Sequence, residues 1–150
     1  GQVHWQKKGN GIRLTFPLPR RVRHAKFATE MPGLDDGGWH LLTTTADVDS
    51  GVIRHYRNGQ LVETHRAQTP LPPLTLGRSS VGGWVHGGPP EHDDRTLRGD
   101  VDELWVWSRV LEPKEVAALY DDTAPQPPAQ TADPGQRSIQ VVPTPEPVKR

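Results

Sequence analysis

Over residues 1–122 short apolar-rich runs, several alternating apolar and polar residues with a period of two, are separated at short intervals by glycine, asparagine and proline. That pattern predicts strands joined by turns. Val3–Gln6 and Ile12–Phe16 flank Gly9-Asn10-Gly11 and read as a hairpin. Ala25–Thr29 reads as a further strand, and Trp39–Ala46 as another, in which Thr43-Thr44-Thr45 favours a pleated surface. Val52–Arg57 and Gln60–Arg66 flank Asn58-Gly59, a pair that supplies the two positive φ values of a type I′ turn. Leu74–Gly77 is a short strand entered from Pro72-Pro73, residues 79–96 form a long exposed loop, and Val101–Trp107 is the last strand.

Beyond Trp107 the period changes. Val116, Leu119 and Tyr120 lie at i, i+3 and i+4 and predict one short helix, with Pro113 in its first turn, where a missing N–H costs nothing. Glu112 and Glu115 have the spacing of a capping box, and Leu111 can staple onto Val116. This apolar stripe is expected to seal one end of a β-sandwich.

Composition agrees with an all-β domain. The 150 residues are only 33% hydrophobic and include 16 prolines and 15 glycines. From Thr123 to Arg150 there are seven prolines and no aromatic residue. Such a segment cannot bury enough apolar surface to offset its ordering entropy. Residues 1–122 are therefore expected to form the domain, and 123–150 a disordered linker or tail. Within that tail Ser138–Val142 has strand character, but nothing nearby offers it a partner.

Charge excludes more than it assigns. Lys plus Arg equals Asp plus Glu, 18 of each, so no long-range field draws in nucleic acid or an anionic membrane. The absence of cysteine excludes disulfides and thiolate zinc sites. No apolar run approaches the roughly 20 residues of a membrane span. The chain opens on Gly1 with no signal-peptide pattern, so any export signal is expected to lie outside this segment.

Four segments in order resemble one family. Trp39-His40-Leu41-Leu42-Thr43-Thr44, the hairpin His55-Tyr56-Arg57-Asn58-Gly59-Gln60-Leu61-Val62, the strand Leu74-Thr75-Leu76-Gly77, and Leu97–Trp107 running on into Val110–Tyr120 are similar to the concanavalin A-like superfamily of laminin-G and pentraxin domains. The resemblance implies an antiparallel β-sandwich (jelly roll), here N-terminally truncated because the family's first strands would precede Gly1, with one short C-terminal helix.

The family's chemistry transfers poorly. In pentraxin-type domains acidic and amide side chains after the "L-G" strand bind calcium, a hard cation that wants several oxygen ligands. Here Gly77 is followed by Arg78-Ser79-Ser80-Val81, and Arg95 stands near the later amide position. No cofactor is therefore expected, and Glu91, Asp93 and Asp94 read as a solvated acidic loop rather than a different calcium site. Asp100-Val101-Asp102-Glu103 resembles the "E-x-D-x-x-E" strand of laminarinase-type hydrolases, which need two carboxyl groups on one face. A regular strand would put Asp100 and Asp102 together, but the third position falls on Trp105. Asp102 and Glu103 are expected instead to bond backbone N–H groups or basic neighbours.

The remaining candidates are aromatic and imidazole groups. Trp39, Trp105 and Trp107 fall on predicted strands and are expected in the core, with the last strand buried on both faces. Trp84 lies in Val81-Gly82-Gly83-Trp84-Val85-His86-Gly87-Gly88 and is the best ligand-contacting aromatic. His86, His92 and Asp93 have zinc-ligating chemistry but no defined spacing. His40 reads as structural, and Pro19-Arg20-Arg21-Val22-Arg23-His24 as a solvated basic turn. The expected function is a non-catalytic recognition or adhesion module of a larger bacterial-type surface or envelope protein. It would present Trp84, His86, Glu91, His92, Asp93 and Asp94 to a glycan or an extracellular protein. An accessory domain of a multidomain enzyme such as a glycoside hydrolase, and a purely structural spacer, are the alternatives.

Overall fold

The computed structural model describes residues 3–18, 24–74, 79–83, 97, 99–123 and 139–141. The chain falls into two compact units, one built from residues 1–74 and 109–132 and the other from 75–108 and 133–150.

The larger unit holds two three-stranded antiparallel sheets. The first has the order β1 (His4–Lys8), β2 (Gly11–Pro17), β3 (His24–Glu30), and the second β4 (Leu42–Asp47), β5 (Val52–Arg57), β6 (Gln60–Arg66). Both predicted hairpins form. In the first, Lys8 pairs with Gly11, leaving Gly9-Asn10 as a two-residue turn with φ 57° at Gly9 alone, the pattern of a type II′ turn. In the second, Arg57 pairs with Gln60, and Asn58 and Gly59 have φ of 51° and 75°, as a type I′ turn requires.

Period two then sorts the side chains. Opposed residues of an antiparallel pair share a face, so Ile12, Leu14 and Phe16 of β2 line up with Thr29, Phe27 and Ala25 of β3. Leu14, Phe16, Phe27, Ile53 and Leu71 form the core between the sheets, with Phe16 and Phe27 packed edge to face at 6.2 Å. At the turn after β5 comes the helix α1 (Pro113–Thr123). Val116 is fully buried, and a Cβ on Gly59 would lie 3.0 Å from Tyr120 Cβ and 3.1 Å from Ala117 Cα. The helix start has the expected chemistry. Glu115 Oε2 accepts from the Glu112 N–H at 2.8 Å, and Arg109 grips the same carboxylate through two 2.7 Å bonds. The guanidinium is the main reason that the Glu115 carboxyl is held down to about 2.

The smaller unit contains β7 (Leu104–Val106) paired in parallel with β8 (Ile139–Val141). Three expectations change here and at β4. The segment at 139–141 does have a strand partner. The last strand covers three residues rather than Val101–Trp107, because Glu103 takes φ 47°, and Val106 is exposed rather than buried. Trp39 and His40 lie ahead of β4, and Trp39 is 52% exposed, not in the core. Residues 75–78 and 84–96, which hold most of the expected strand Leu74–Gly77 and most of the expected long loop, lie outside the described residues.

Two outcomes follow for stability. Gly59→Ala adds a Cβ against α1 at a positive φ and is expected to cost about 2 kcal/mol or more in urea unfolding, whereas Gly9→Ala, in open space, bears only the backbone strain of about 1–2 kcal/mol. The stabilisation from Glu115 is complete above the ordinary carboxylate pKa of 4.5 and is lost as the pH falls towards about 2. Glu115→Gln is therefore expected to flatten that part of an acid-unfolding profile followed by circular dichroism.

Candidate functional site

The six residues singled out from sequence, Trp84, His86, Glu91, His92, Asp93 and Asp94, all lie outside the described residues, as do Gly77, Arg78, Arg95 and the basic turn at 19–23. Among the described residues no cluster of three or more His, Cys, Asp or Glu is placed to hold a metal ion. Asp100, Asp102 and Glu103 are exposed and precede β7, so the regular strand that would have aligned Asp100 with Asp102 does not form.

Polar side chains converge instead in two places in the larger unit. The first runs from the exposed Trp5 inward to the buried His55. Trp5 Nε1 donates to Thr44 Oγ1 at 2.7 Å, and Thr44 Oγ1 lies 2.8 Å from His55 Nδ1. His55 Nε2 lies 3.1 Å from the Phe27 carbonyl oxygen, and the ring is fully buried. A carbonyl only accepts, so Nε2 carries the proton and Nδ1 accepts from the Thr44 hydroxyl. The chain from Trp5 through Thr44 and His55 to Phe27 is thus complete and runs in one direction across both sheets. Burial, above all, pushes the His55 pKa below its ordinary value and keeps the ring neutral.

The second place is the loop from Met31 to Leu41, which follows β3. Its path is dictated locally. The Met31 N–H bonds Asn10 O at 2.6 Å, and Leu34 N–H and Asp36 N–H close successive turns onto Met31 and Gly33 at 3.3 and 3.4 Å. Asp36 then folds the chain back by accepting from the Gly38 N–H at 2.7 Å, an Asx-turn, and from His40 Nε2 at 2.9 Å. Those two bonds, the backbone N–H first, lower the Asp36 pKa. At the loop's end Leu41 N–H donates to Asn58 Oδ1 at 3.0 Å, and Asn58 N–H returns a bond to Leu41 O at 2.8 Å.

Arg57, at the end of β5, braces this loop from within. Its guanidinium donates to the Pro32 carbonyl and to Gly33 O at 3.2 Å, and stands 3.6 Å from Asp36 Oδ2. It is 3.4 and 3.3 Å from the two ring nitrogens of His40, so it lies against the ring instead of on one lone pair. Lys7 Nζ reaches Asp35 Oδ1 at 2.5 Å and Gly9 O at 3.1 Å. One end of the sandwich therefore gathers the β1–β2 turn, the 31–41 loop and the β5–β6 turn. Trp39, the residue before His40 on this braced loop, is half exposed. The loop thus presents one large apolar ring to solvent.

Sequence reading missed this site. His40, expected to be structural, bonds Asp36 and lies against Arg57, whereas Trp39, expected in the core, is half exposed. The available signal was the run Asp35-Asp36-Gly37-Gly38 directly before Trp39, whose turn chemistry excludes a strand there. Gly37 has φ 81° in this stretch. At the opposite end the β4–β5 turn is closed by Asp47, which accepts from the Ser50 hydroxyl at 2.5 Å and from the Asp49 and Ser50 N–H groups at 3.1 Å. An open hollow of ≈ 240 Å³ lies beside that turn, lined by Val48, Asp49, Ser50, Gly51 and residues 67–70, and it brings no convergent set of charged groups.

If Arg57 organises the loop, Arg57→Gln leaves the carbonyls of Pro32 and Gly33 and the Asp36 carboxylate without their shared donor. Amide hydrogen exchange in 31–41 is expected to rise by about tenfold or more, with little change in the strands β1 and β2.

Comparison with known proteins follows the fold. A family model described as the concanavalin A-like lectin/glucanases superfamily, Laminin_G_3, matches residues 2–117. Among curated proteins the chain is similar to the calpain-type cysteine protease ADL1 of Oryza sativa subsp. japonica, 28% identical over 121 residues, or 73% of this chain. It is also similar to the calpain-type cysteine protease DEK1 of Zea mays, 27% identical over 126 residues, or 77% of this chain. It spans only 6% of the length of each. Among solved structures it is similar to part of an S-layer domain-containing protein from Clostridium thermocellum, at 19% identity and a TM-score of 0.47, covering 73% of this chain and 51% of that one.

Proposed function

This chain belongs to the concanavalin A-like lectin/glucanases superfamily, and from that premise we propose that it is a non-catalytic recognition module of a larger surface or envelope protein, binding a glycan or a protein ligand. One observation carries the reading. Trp39 stands 52% exposed on a loop whose every turn is fixed by named bonds, so its ring is presented without a large ordering cost. An indole face stacks on sugar C–H surfaces or on apolar side chains. No helix among the described residues is long and apolar enough to cross a membrane.

The relatives favour a second reading, that of an accessory domain in a multidomain enzyme. Both are calpain-type cysteine proteases many times the length of this chain. The chain contains no cysteine. In such a protein it would contribute recognition, and the nucleophile would come from elsewhere.

The test is a glycan array probed with the whole chain, with and without calcium, alongside Trp39→Ala and Trp84→Ala. Binding to a glycan class that falls about five- to tenfold in Trp39→Ala supports this end of the sandwich as the site. Binding unaffected by Trp39→Ala but lost in Trp84→Ala moves the ligand to the 79–96 segment. No glycan bound under any condition removes the lectin version.

A further inference from the structure

The interior histidines suggest a device beyond recognition itself. His55 of β5 and His65 of β6 face the space between the sheets, with ring centroids 5.4 Å apart and planes at 71°. Each reaches across to β3. His55 Nε2 donates to the Phe27 carbonyl at 3.1 Å, and His65 Nε2 lies 2.8 Å from Thr29 Oγ1. Phe27 and Thr29 are two residues apart on one face of β3, and the Phe27 ring also lies 5.9 Å from His65. In its own sheet β3 is an edge strand. Two imidazoles thus fasten an edge strand of one sheet to the central and edge strands of the other.

We propose that His55 is an acid-operated latch: a protonated ring cannot be kept in this buried place, and as it leaves it gives up the bond to Phe27, freeing β3 from β5 and loosening the 31–41 loop that β3 leads into. The direction of the hydrogen bonds is the first reason. With Nε2 already donating to Phe27, a second proton must go on Nδ1, which now accepts from Thr44. Thr44 would then have to receive N–H groups from both Trp5 and His55, and its own hydroxyl proton would lose its acceptor.

Charge balance is the second reason. The groups facing His55 are the Phe27 backbone from β3, Thr44 from β4 and, through Thr44, the neutral indole of Trp5 from β1. On β5 itself Arg57 is turned to the carbonyls of Pro32 and Gly33. From β6 come the titratable His65 and Glu63, whose charges act on His55 in opposite senses. Glu63 Oε2 is 3.7 Å from His65 Nε2 and can balance one positive charge. A second cation, in a fully buried ring, has none. The sign follows. A buried neutral histidine with a lowered pKa stabilises the closed form fully above the ordinary value of 6.5, and that contribution is lost as the pH falls through 6.5 towards the lowered value.

Hydrogen exchange of the whole chain tests this between about pH 7.5 and pH 5, corrected for intrinsic rates. The opening constant of amides 24–30 should rise by up to about tenfold per pH unit below roughly 6.5, more than that of the β1–β2 turn. Glu63→Gln, at a half-exposed position that should leave folding intact, removes a charge that favours the His55 cation in the closed form, so the rise should begin at the same pH and continue further as the pH falls, and His55→Gln should abolish it. Protection of 24–30 that is constant with pH, or a rise that survives in His55→Gln, overturns the latch. Its effect on a ligand rests on the recognition reading of the 31–41 loop. If β3 opens with acid while affinity for an array-identified glycan is equal at both pH values, the latch stands and that reading of the loop falls.

Discussion

The hydrogen-bond chain from Trp5 through Thr44 and His55 to the Phe27 carbonyl is the constraint on which the rest of the larger unit depends. Apolar contact between Leu14, Phe16, Phe27, Ile53 and Leu71 drives the two sheets together, but it is non-directional and tolerates sliding. A buried imidazole tolerates much less. Both its nitrogens must find partners of the right kind, because an unmatched polar group in the interior costs about 1–3 kcal/mol. The chain therefore selects one register between the sheets and one tautomer of the ring. It also requires the ring to stay neutral, which ties the fold to pH.

Strand β5 connects this interior to the surface. Ile53, His55 and Arg57 share one face because the strand period is two. In that order they supply an apolar contact in the core, the link between sheets, and the brace of the 31–41 loop. The type I′ turn follows at once, and Asn58 returns two bonds to Leu41. Trp39 is thus positioned by the same strand that joins the sheets. A change that shifts β5 is felt both in the core and at the exposed ring.

Much of this architecture was legible in the sequence. Gly9-Asn10 and Asn58-Gly59 fixed both hairpins through backbone conformations that few other residues adopt, and the boundaries of β5 and β6 fell where the alternation placed them. The helix was readable from Pro113 and the spacing of Glu112 and Glu115. The site was less legible. Alternation through Trp39–Ala46 suggested one strand, but the Asx-turn at Asp36 and the Arg57 bonds to carbonyls distant in sequence hold Trp39 outside it. Contacts between residues so far apart leave no periodic trace. The same holds for His55, whose partners lie on β3 and β4. The parallel pairing of Ile139–Val141 with Leu104–Val106 is likewise a long-range event that local composition, rich in proline, argued against.

The claim most directly open to measurement is the state of the His55 ring. In the ¹⁵N-labelled chain at about pH 7.5, long-range ¹H–¹⁵N correlation of the imidazoles reports charge and tautomer at once. The account predicts a neutral His55 ring with its proton on Nε2 and slow exchange of that proton with water. A His55 ring protonated on Nδ1, a cationic ring, or an Nε2 proton exchanging as fast as that of an exposed histidine would contradict it.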